Sequence, residues 1–359
     1  MGSKTKHNMS DVHTRERTPQ EKIFIQATSR GSRDGKMYDI ELEPDPIRRI
    51  LNYRKLFDVL RVSVDLDVYT HLSSPMSARR LSRPLRVDAR FLGYLLETLW
   101  RIGLVERTEG VDGSWAYRST QVARQFLSLQ SPLCLSLERF REGETGKLLE
   151  RYLNEGPSDD VISKEYWTPE IIKKLEDSAL LGGVQSTVKR VNLIGCRSLL
   201  DIGGGHGIYS IFFTRKYPDL RACVLDLPQI VVVTNENIKR LGAGARVRAV
   251  AGDFHTFKPT QKFDAVFLSN VTPSQNELRA LLSRSHGFLS DRGVVILRSF
   301  VSDSTPDVWS AVSTLERYAR RGKLSLTRDN LMAALRDAGF LDVADVHAAE
   351  GVVIVRGTK

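Results

Sequence analysis

The chain has 359 residues, of which 41% are hydrophobic and 27% charged, and its formal net charge is +10. The length predicts more than one domain, and the composition is typical of a globular protein in water. A run of about 18 apolar residues, which a membrane-spanning helix needs, is absent, as is the apolar core of a signal peptide. The three cysteines are far apart and lack metal-ligand spacing, which predicts free thiols in a reducing cytoplasm and no metal site: Cys134, Cys196 and Cys223.

The first part of the chain predicts a charged arm followed by a small helical domain. Residues 1–45 are polar and poor in apolar side chains, so we expect a flexible N-terminal arm. In residues 46–150, apolar side chains first recur at helical spacing and then alternate as in short strands. Helices are expected at about 47–64, 77–81 and 87–99, and hairpin strands at 105–107 and 115–118. Three helices and a hairpin predict a winged helix.

A winged helix and a positive net charge raise the alternative of a DNA-binding regulator. Two observations argue against it. The excess of positive charge is spread along the chain and is not concentrated in residues 46–150. The helix in the recognition position, 87–101, contains Phe91, Leu95, Leu96 and Leu99, and is too apolar to face a DNA groove. We expect this helix to be buried against a second copy of the chain, so the sequence favours a homodimer over a complex with nucleic acid.

Residues 151–192 predict a helical bridge to a third domain, with one helix from about Pro169 to Val191. Two aromatic residues, Tyr166 and Trp167, come just before this helix. They form either the wall of a pocket for a small substrate or part of the core between two domains. The sequence does not distinguish these alternatives.

The segment 198–207, Ser-Leu-Leu-Asp-Ile-Gly-Gly-Gly-His-Gly, indicates a ligand site. An apolar strand carries Asp201 near its end, and the glycines that follow let a ligand lie directly on the backbone, at the start of a helix. The spacing is not the Gly-x-Gly-x-x-Gly of dinucleotide enzymes, and no Gly-Lys-Ser/Thr is present. An acid ahead of the turn suits a cationic ligand and would repel a pyrophosphate, which favours S-adenosylmethionine (SAM). The alternative is a tight turn that only packs a helix on a strand.

The next predicted strands also end in side chains that suit this cofactor. Asp226 lies 19 positions after Gly207, where a carboxylate hydrogen-bonds both ribose hydroxyls. Asp253 is expected to accept a hydrogen bond from the adenine amino group, and Phe254 to pack on the ring. The predicted cofactor contacts are Asp201, Gly203, Gly205, Gly207, Asp226, Leu227, Asp253, Phe254 and Ser269.

These segments resemble the SAM-dependent class I methyltransferases of the caffeate, acetylserotonin and antibiotic O-methyltransferase family. The resemblance covers roughly residues 50–357 and rests on four segments: Leu-Asp-Ile-Gly-Gly-Gly-His-Gly at 200–207, Leu-Asp-Leu-Pro at 225–228, Ala-Gly-Asp-Phe at 251–254, and the closing pair 338–340 and 351–355. It implies an α/β fold, with a Rossmann-like seven-stranded sheet over residues 193–359 whose last strand is reversed. It also implies a winged-helix dimerisation domain, a homodimer, SAM as cofactor and a small-molecule substrate beside the bridge.

The chain departs from this family at the catalytic base. In the family, a histidine after the fourth strand deprotonates the acceptor hydroxyl. Residues 269–277 contain no histidine, and the expected position falls at Pro273 or near Val271. Four side chains remain as candidates for catalysis: Ser269, Asn270, His206 and His255. Asn270 is also expected to line the substrate pocket.

Three interpretations of the missing base stay open. The acceptor is a nucleophilic carbon, an enolate or an amine that needs no protein base, as in the carbon methyltransferases of the family, which are similar to this chain at 274–278. Alternatively, a hydroxyl of low pKa is methylated by positioning alone. As a third possibility, the chain binds SAM and catalyses a reaction other than methyl transfer. The sequence favours methyl transfer to a small, cyclic or aromatic metabolite, with carbon or nitrogen ahead of oxygen as the acceptor.

Overall fold

The computed structural model describes residues 45–109, 114–135, 167–271, 275–301, 326–349 and 352–359. The chain divides into two compact units, residues 1–60 and residues 61–359. The predicted flexible arm lies outside the described residues except for Asp45. Helix α1, Asp45–Asp65, begins in the first unit, where it exposes Ile50, Leu51 and Tyr53. Of the helices that the structure describes, none is long and apolar enough to cross a membrane.

The second unit begins with the last residues of α1, which is the first helix of the predicted winged helix, and continues with its other elements. These are α2 (Val68–His71), β1 (Met76–Ser77), α3 (Ala78–Leu85), α4 (Ala89–Arg101), β2 (Val105–Glu109), β3 (Trp115–Ser119) and α5 (Gln121–Phe126). Strands β2 and β3 form the expected antiparallel hairpin, and β1 pairs with β3 to give the order β1-β3-β2. The sequence did not predict α2 and β1, because segments of 4 and 2 residues are too short to show a periodicity.

Helix α4 has one buried and one exposed apolar face. It begins after Asp88, whose carboxylate accepts a hydrogen bond from the Phe91 N–H at 2.7 Å. Three of its four leucines point into the domain and are at most 1% exposed: Leu92, Leu96 and Leu99. Phe91 and Tyr94 lie on the other face and are 71% and 67% exposed. Within one chain, therefore, only the leucine face of this helix is buried, and its burial against a second copy stays a prediction.

The bridge is not the single helix that the sequence predicted. Helix α6 (Pro169–Ser178) runs into a π-helical turn over Ala179–Gly183, and α7 (Val184–Arg190) follows. The break falls at Gly182, whose φ of 140° is not helical. The next glycine, Gly183, has no room for a side chain, because a Cβ atom there would lie 2.9 Å from the hydroxyl oxygen of Tyr209. Gly182 thus permits a bend that apolar periodicity does not reveal.

The C-terminal domain contains a seven-stranded sheet that confirms the predicted α/β fold. In chain order its elements are β4 (Ser198–Ile202), α8 (Ile208–Lys216), β5 (Arg221–Asp226), α9 (Pro228–Arg240), β6 (Val247–Ala251), β7 (Phe263–Ser269), α10 (Gln275–Phe288), β8 (Leu289–Phe300), α11 (Arg328–Asp337), β9 (Leu341–Ala349) and β10 (Val352–Thr358). The strand order is β6-β5-β4-β7-β8-β10-β9, and β10 alone runs in the opposite direction to the other six strands. The order reverses between β4 and β7, so a crevice opens there at the carboxyl ends of the strands.

The two faces of the sheet pack against different helices. Leu268 of β7 belongs to a buried cluster with leucines of α10 and α11. Its neighbour Phe267 points to the opposite face and stacks against Tyr209 and Phe213 of α8, with ring centroids 5.5 and 5.2 Å away. Since side chains alternate along a strand, Ser269 belongs to the α8 face and Asn270 to the α10 and α11 face. This alternation separates two residues that are adjacent in sequence.

Candidate functional site

The glycine turn after β4 brings backbone atoms to the crevice without side chains in the way. Gly203, Gly205 and Gly207 have φ angles of 65°, 54° and 72°, which are left-handed conformations that glycine adopts without strain. The Gly203 N–H donates to the carbonyl of Leu225 at 2.8 Å, which extends the pairing of β4 and β5 into the turn. Helix α8 begins immediately afterwards, so its first N–H groups face the same space.

Asp201 lies beneath this turn and keeps one acceptor atom without a partner. It is 1% exposed, and its Oδ2 atom accepts a hydrogen bond from the Ser210 hydroxyl at 2.7 Å. Its Oδ1 atom is buried and has no partner among the described residues. Burial, with a smaller effect from the charge of Asp226, outweighs the hydrogen bond from Ser210 and raises the pKa of Asp201 to about 7. A buried, unpaired carboxylate oxygen below a bare backbone turn fits a cationic group bound above it.

Asp226 ties the next strand end to the glycine turn. Its Oδ2 atom accepts from the Gly205 N–H at 2.8 Å, and its Oδ1 atom accepts from the Leu227 N–H at 2.7 Å. Each carboxylate oxygen has a second lone pair, so both can still accept a hydrogen bond from a ligand hydroxyl. Burial raises the pKa of this carboxyl group, while the two N–H donors lower it.

The third strand end holds Asp253, Phe254 and His255. The Gly252 N–H donates to the carbonyl of Asp226 at 2.8 Å, so this segment continues the line of the first two strand ends. The Asp253 carboxylate accepts from the His255 N–H at 2.9 Å. The Phe254 ring packs against the core cluster on the α10 face and lies 4.0 Å from the His255 ring, centroid to centroid. His255 itself is exposed.

Helix α6 covers the glycine turn from the bridge. Ile172 packs with Ile230 and Val233 of α9, and the partly buried side chains of Trp167 and Leu227 lie against this cluster. A Cβ atom on Gly205 would lie 3.6 Å from the Cδ1 atom of Ile172, so the cover is close to the turn. Tyr166, the other predicted pocket residue, lies outside the described residues.

His206, in the middle of the turn, is held as a neutral ring. It is 7% exposed, and its Nδ1 atom accepts a hydrogen bond from the Ile208 N–H at 3.1 Å. Burial, together with the charge of Arg298, lowers the pKa of His206 to about 3. Because the Nδ1 lone pair is occupied, the proton sits on Nε2, which can donate a hydrogen bond and cannot accept one.

Ser269 and Asn270, predicted together at the mouth of the site, face different surroundings. The Ser269 hydroxyl accepts a hydrogen bond from Arg298 at 3.4 Å on the α8 face. The side-chain oxygen of Asn270 accepts from the Phe300 N–H at 3.0 Å, and Asn270 has a φ of 56°. It lines a small apolar recess on the other face with Leu278 and Leu331. Asn270 thus holds the ends of β7 and β8 together.

The sequence missed a buried arginine at the end of β8. Arg298 is 6% exposed, and its Nε atom donates to the Thr187 hydroxyl at 3.2 Å. The guanidinium carbon lies 5.4 Å from the centre of the Tyr209 ring. The sequence does carry a signal for this residue: Arg298 directly follows the apolar run 294–297. An arginine in a buried strand is rare and normally has polar or charged partners.

A second missed group is a polar network that links α6, α9 and the turn. The Asn237 amide donates to the Glu176 carboxylate at 2.7 Å and to the carbonyl of His206 at 2.9 Å. Arg240 pairs with the same carboxylate, which is buried. This network holds the glycine turn at a fixed distance from α6, the helix that covers it.

Comparison with known proteins identifies the family. Residues 164–327 match the O-methyltransferase domain, and residues 49–128 match the O-methyltransferase dimerisation domain. Together with the seven-stranded sheet and the glycine turn, these matches show that the chain belongs to the SAM-dependent O-methyltransferase family. The glycine turn, the unpaired Asp201 oxygen and the available lone pairs of Asp226 fit the cofactor of that family.

Similar proteins methylate several kinds of atom, as their names state. The N,N-dimethyltransferase OxyT of Streptomyces rimosus is 27% identical over 78% of this chain and 86% of its own length. The tetracenomycin 8-O-methyltransferase TcmO of Streptomyces glaucescens is 26% identical over 83% and 91%. The bacteriochlorophyllide d C-20 methyltransferase of Chlorobaculum tepidum is 23% identical over 62% and 67%.

Among solved structures, human N-acetylserotonin methyltransferase in complex with SAM superposes with a TM-score of 0.66. Its sequence is 18% identical, and the match covers 90% of this chain and 99% of that one. At this identity the likeness shows the shared fold.

Proposed function

We propose that the chain transfers a methyl group from SAM to a small, cyclic or aromatic metabolite, with carbon or nitrogen ahead of oxygen as the acceptor atom. The observation that supports this most is a contrast within one crevice. Backbone and carboxylates suited to the cofactor stand on one side, and the neighbouring strand end carries no imidazole base, because residues 269–277 contain no histidine. Relatives are named for O-, N- and C-methylation, so the acceptor atom differs between similar proteins. This supports the view that local side chains determine which atom is methylated.

The cofactor contacts follow from the strand ends. Asp226 would hold the two ribose hydroxyls through its remaining lone pairs, and Asp253 the adenine amino group. Phe254 and Leu227 would border the adenine and ribose, and Asp201 would attract the amino group of the methionyl part from below the turn. Gly203, Gly205 and Gly207 would let these parts lie against the backbone, with Ser269 beside them. When bound, SAM supplies a methyl group activated by a positively charged sulfur.

The remaining residues position the acceptor and exclude water. Methyl transfer is an in-line displacement, so the acceptor atom must be held close to the methyl carbon in a dry site. Ile172 and Trp167 cover the turn and would keep water out, and Tyr166 would extend this wall. His206 has no free lone pair for a proton, and His255 lies against Phe254, which would border the adenine. An acceptor that reacts without a neutral imidazole base suits this set of residues.

We also propose that the active form is a homodimer in the cytosol. Residues 49–128 match a dimerisation domain, and Phe91 and Tyr94 are large apolar side chains left exposed on α4. Apolar side chains of this size on one helix face are typical of a protein interface. The described residues contain no disulfide that would indicate an oxidising compartment.

Asp226→Ala tests the cofactor site. It should weaken the affinity for S-adenosylhomocysteine (SAH), measured by calorimetry, by about tenfold or more, because a buried acceptor of charged hydrogen bonds is lost. Asp219→Ala removes an exposed carboxylate on the same domain and serves as the control. Equal affinities of wild type and Asp226→Ala would contradict the assignment.

The missing base also favours a second candidate, a SAM-binding enzyme that does not transfer methyl. Incubation with methyl-labelled SAM and a panel of aromatic alcohols, amines and carbon nucleophiles separates the two. Label in any product supports the methyltransferase. Tight SAH binding together with no labelled product from the whole panel would favour the second candidate.

A further inference from the structure

Arg298 lies in a buried polar cluster that could bind a negatively charged group. The guanidinium donates to the hydroxyls of Thr187 and Ser269, at 3.2 and 3.4 Å. Its Nη2 atom would lie 3.4 Å from a Cβ atom on Gly183, next to the Tyr209 hydroxyl. The absence of a side chain at Gly183 thus leaves the space that the guanidinium and the phenol occupy.

No carboxylate of the described residues pairs with this charge. The two hydroxyls that it contacts are neutral, and they use two of the five N–H groups of the guanidinium. The rings of Tyr209 and Phe300 offer their faces at 5.4 and 5.3 Å, which partly offsets the loss of water. A buried cation without an anionic partner is costly, and a ligand with negative charge would remove that cost.

The place of Arg298 in the sheet points to the acceptor. All the predicted cofactor residues except Ser269 lie at the ends of β4, β5 and β6. Arg298 lies two residues before the end of β8, on the other side of the crevice between β4 and β7. It pairs in register with Ser269, whose side chain shares the α8 face on which the glycine turn opens. The cluster therefore borders the part of the crevice that the cofactor strands leave for the second reactant.

We propose that Arg298, with Thr187, Ser269 and Tyr209 around it, forms an oxyanion subsite that binds the methyl acceptor through an ionised oxygen, either a carboxylate or a phenolate. This inference rests on the proposed methyl transfer and names the class of its substrate. It also explains how the site works without a histidine base, because a neighbouring guanidinium favours the ionised form of an acidic hydroxyl. The acceptor then arrives as an anion.

The reaction balances for such an acceptor. An electron pair on the acceptor atom forms the bond to the methyl carbon, and the carbon–sulfur bond breaks with its pair remaining on sulfur, which leaves SAH. A phenolate that reacts at its ring carbon then releases the ring proton to water and is aromatic again. A phenolate that reacts at oxygen gives a neutral ether and releases no proton. A carboxylate-bearing amine that reacts at nitrogen gives an ammonium group, which then releases its proton to water.

The test compares anions with neutral molecules of the same shape. The affinities of benzoate and benzamide, and of 4-nitrophenolate and 4-nitroanisole, are measured by calorimetry with and without SAH. The wild type should prefer the anion of at least one pair by about tenfold, the range expected for a charged hydrogen-bonded contact. Arg298→Gln should abolish that preference, and Arg298→Lys should keep part of it. Arg215→Gln is the control, because Arg215 is an exposed arginine whose guanidinium donates to the Leu241 carbonyl at the far end of α8.

The outcomes are distinguishable. No anion preference in the wild type for either pair, or a preference that Arg298→Gln retains, overturns the subsite. If Arg298→Gln weakens SAH but not 5′-methylthioadenosine, which lacks the amino-acid part, Arg298 binds the cofactor's carboxylate and the assignment to the acceptor is wrong. A wild type that binds no SAH overturns the proposed function, while the measurement without SAH still reports on Arg298. Thermal unfolding of each variant separates these effects from misfolding.

Discussion

The two halves of the crevice are built from the same kind of element but carry opposite charge. On the side of β4, β5 and β6, each strand ends in or near a carboxylate, and glycine backbone separates Asp201 from Asp226. On the side of β7 and β8, the described strand ends carry hydroxyls, an amide and the buried Arg298. One half is suited to hydroxyl donors and a cation, and the other to an anion.

This difference explains why the cofactor site shows in the sequence and the acceptor site does not. A cofactor with one shape imposes glycines and acids at fixed positions along consecutive strands. The acceptor half is assembled from α7, α8, β7 and β8, and its members Thr187, Tyr209, Ser269 and Arg298 are up to 111 residues apart. No local spacing connects them, so only the folded chain brings them together.

The largest effect should come from filling the glycine turn. A Cβ atom on Gly204 would lie 2.7 Å from the Asp201 carboxylate and from Val224, so Gly204→Ala must displace buried atoms. We expect a loss of about 1–3 kcal/mol in the free energy of unfolding. We also expect weaker SAH binding, measured by calorimetry, because the backbone of the turn must shift to make room for the added methyl group.

The control for this change is Gly287→Ala. Gly287 lies in α10 with no atom within 4 Å of its Cβ position, so alanine there should leave stability equal or slightly higher. If Gly204→Ala weakens SAH binding but keeps the anion preference of the Arg298 cluster, the two halves of the crevice act independently. Loss of both together would show that the two halves are not independent.

Much of the fold could be predicted because its signals are local. Apolar runs ending in acids marked β4, β5 and β6, and the antiparallel hairpin of β2 and β3 followed from two short extended segments around a glycine turn. The bend in the bridge at Gly182 could not, because the helical periodicity continues across it. Asn270 and Ser269 were predicted as one pair, but the alternation of a strand sends their side chains to opposite faces.

The cofactor half should also make stability depend on pH through Asp201. Burial raises its pKa to about 7, from 3.8 in an unfolded chain. The folded state therefore keeps a proton that the unfolded state has lost, and the stability from this group is complete below pH 3.8 and is lost as the pH rises through 7. In Asp201→Asn the amide oxygen can still accept from Ser210 but cannot ionise. Its free energy of unfolding should rise relative to the wild type by about 1.4 kcal/mol per pH unit at most, levelling off above pH 7.

Urea titrations of both proteins between pH 5 and pH 8 measure this difference. Asp264→Asn is the control, because the pKa shift of Asp264 has the opposite sign. Burial raises that pKa, but hydrogen bonds from Arg197, Ser198 and Ser290 outweigh it and hold the pKa below its usual value. Its contribution is therefore lost only in acid, and the control should show no slope above pH 5. A flat difference for Asp201→Asn would mean that the carboxylate is ionised in the folded chain.

The smallest effect concerns one hydroxyl in the acceptor half. Burial raises the pKa of the Tyr209 phenol, and the charge of Arg298 and the hydroxyls of Thr187 and Ser269 lower it. Tyr209→Phe keeps the ring against Phe267 and removes a hydrogen-bonding group beside the guanidinium. We expect about 1 kcal/mol of lost stability and a few-fold weaker binding of the preferred anion, with SAH affinity unchanged.

Tyr217→Phe is the matched control for this last change, because the Tyr217 hydroxyl donates to the Val191 carbonyl at 2.8 Å, at the opposite end of α8. It should cost similar stability and leave anion binding as it is. If both variants lose stability and neither changes anion binding, the Tyr209 hydroxyl serves packing alone. A change in SAH affinity that is specific to Tyr209→Phe would instead place the cofactor against the arginine cluster, and the division of the crevice into two halves of opposite charge would fail.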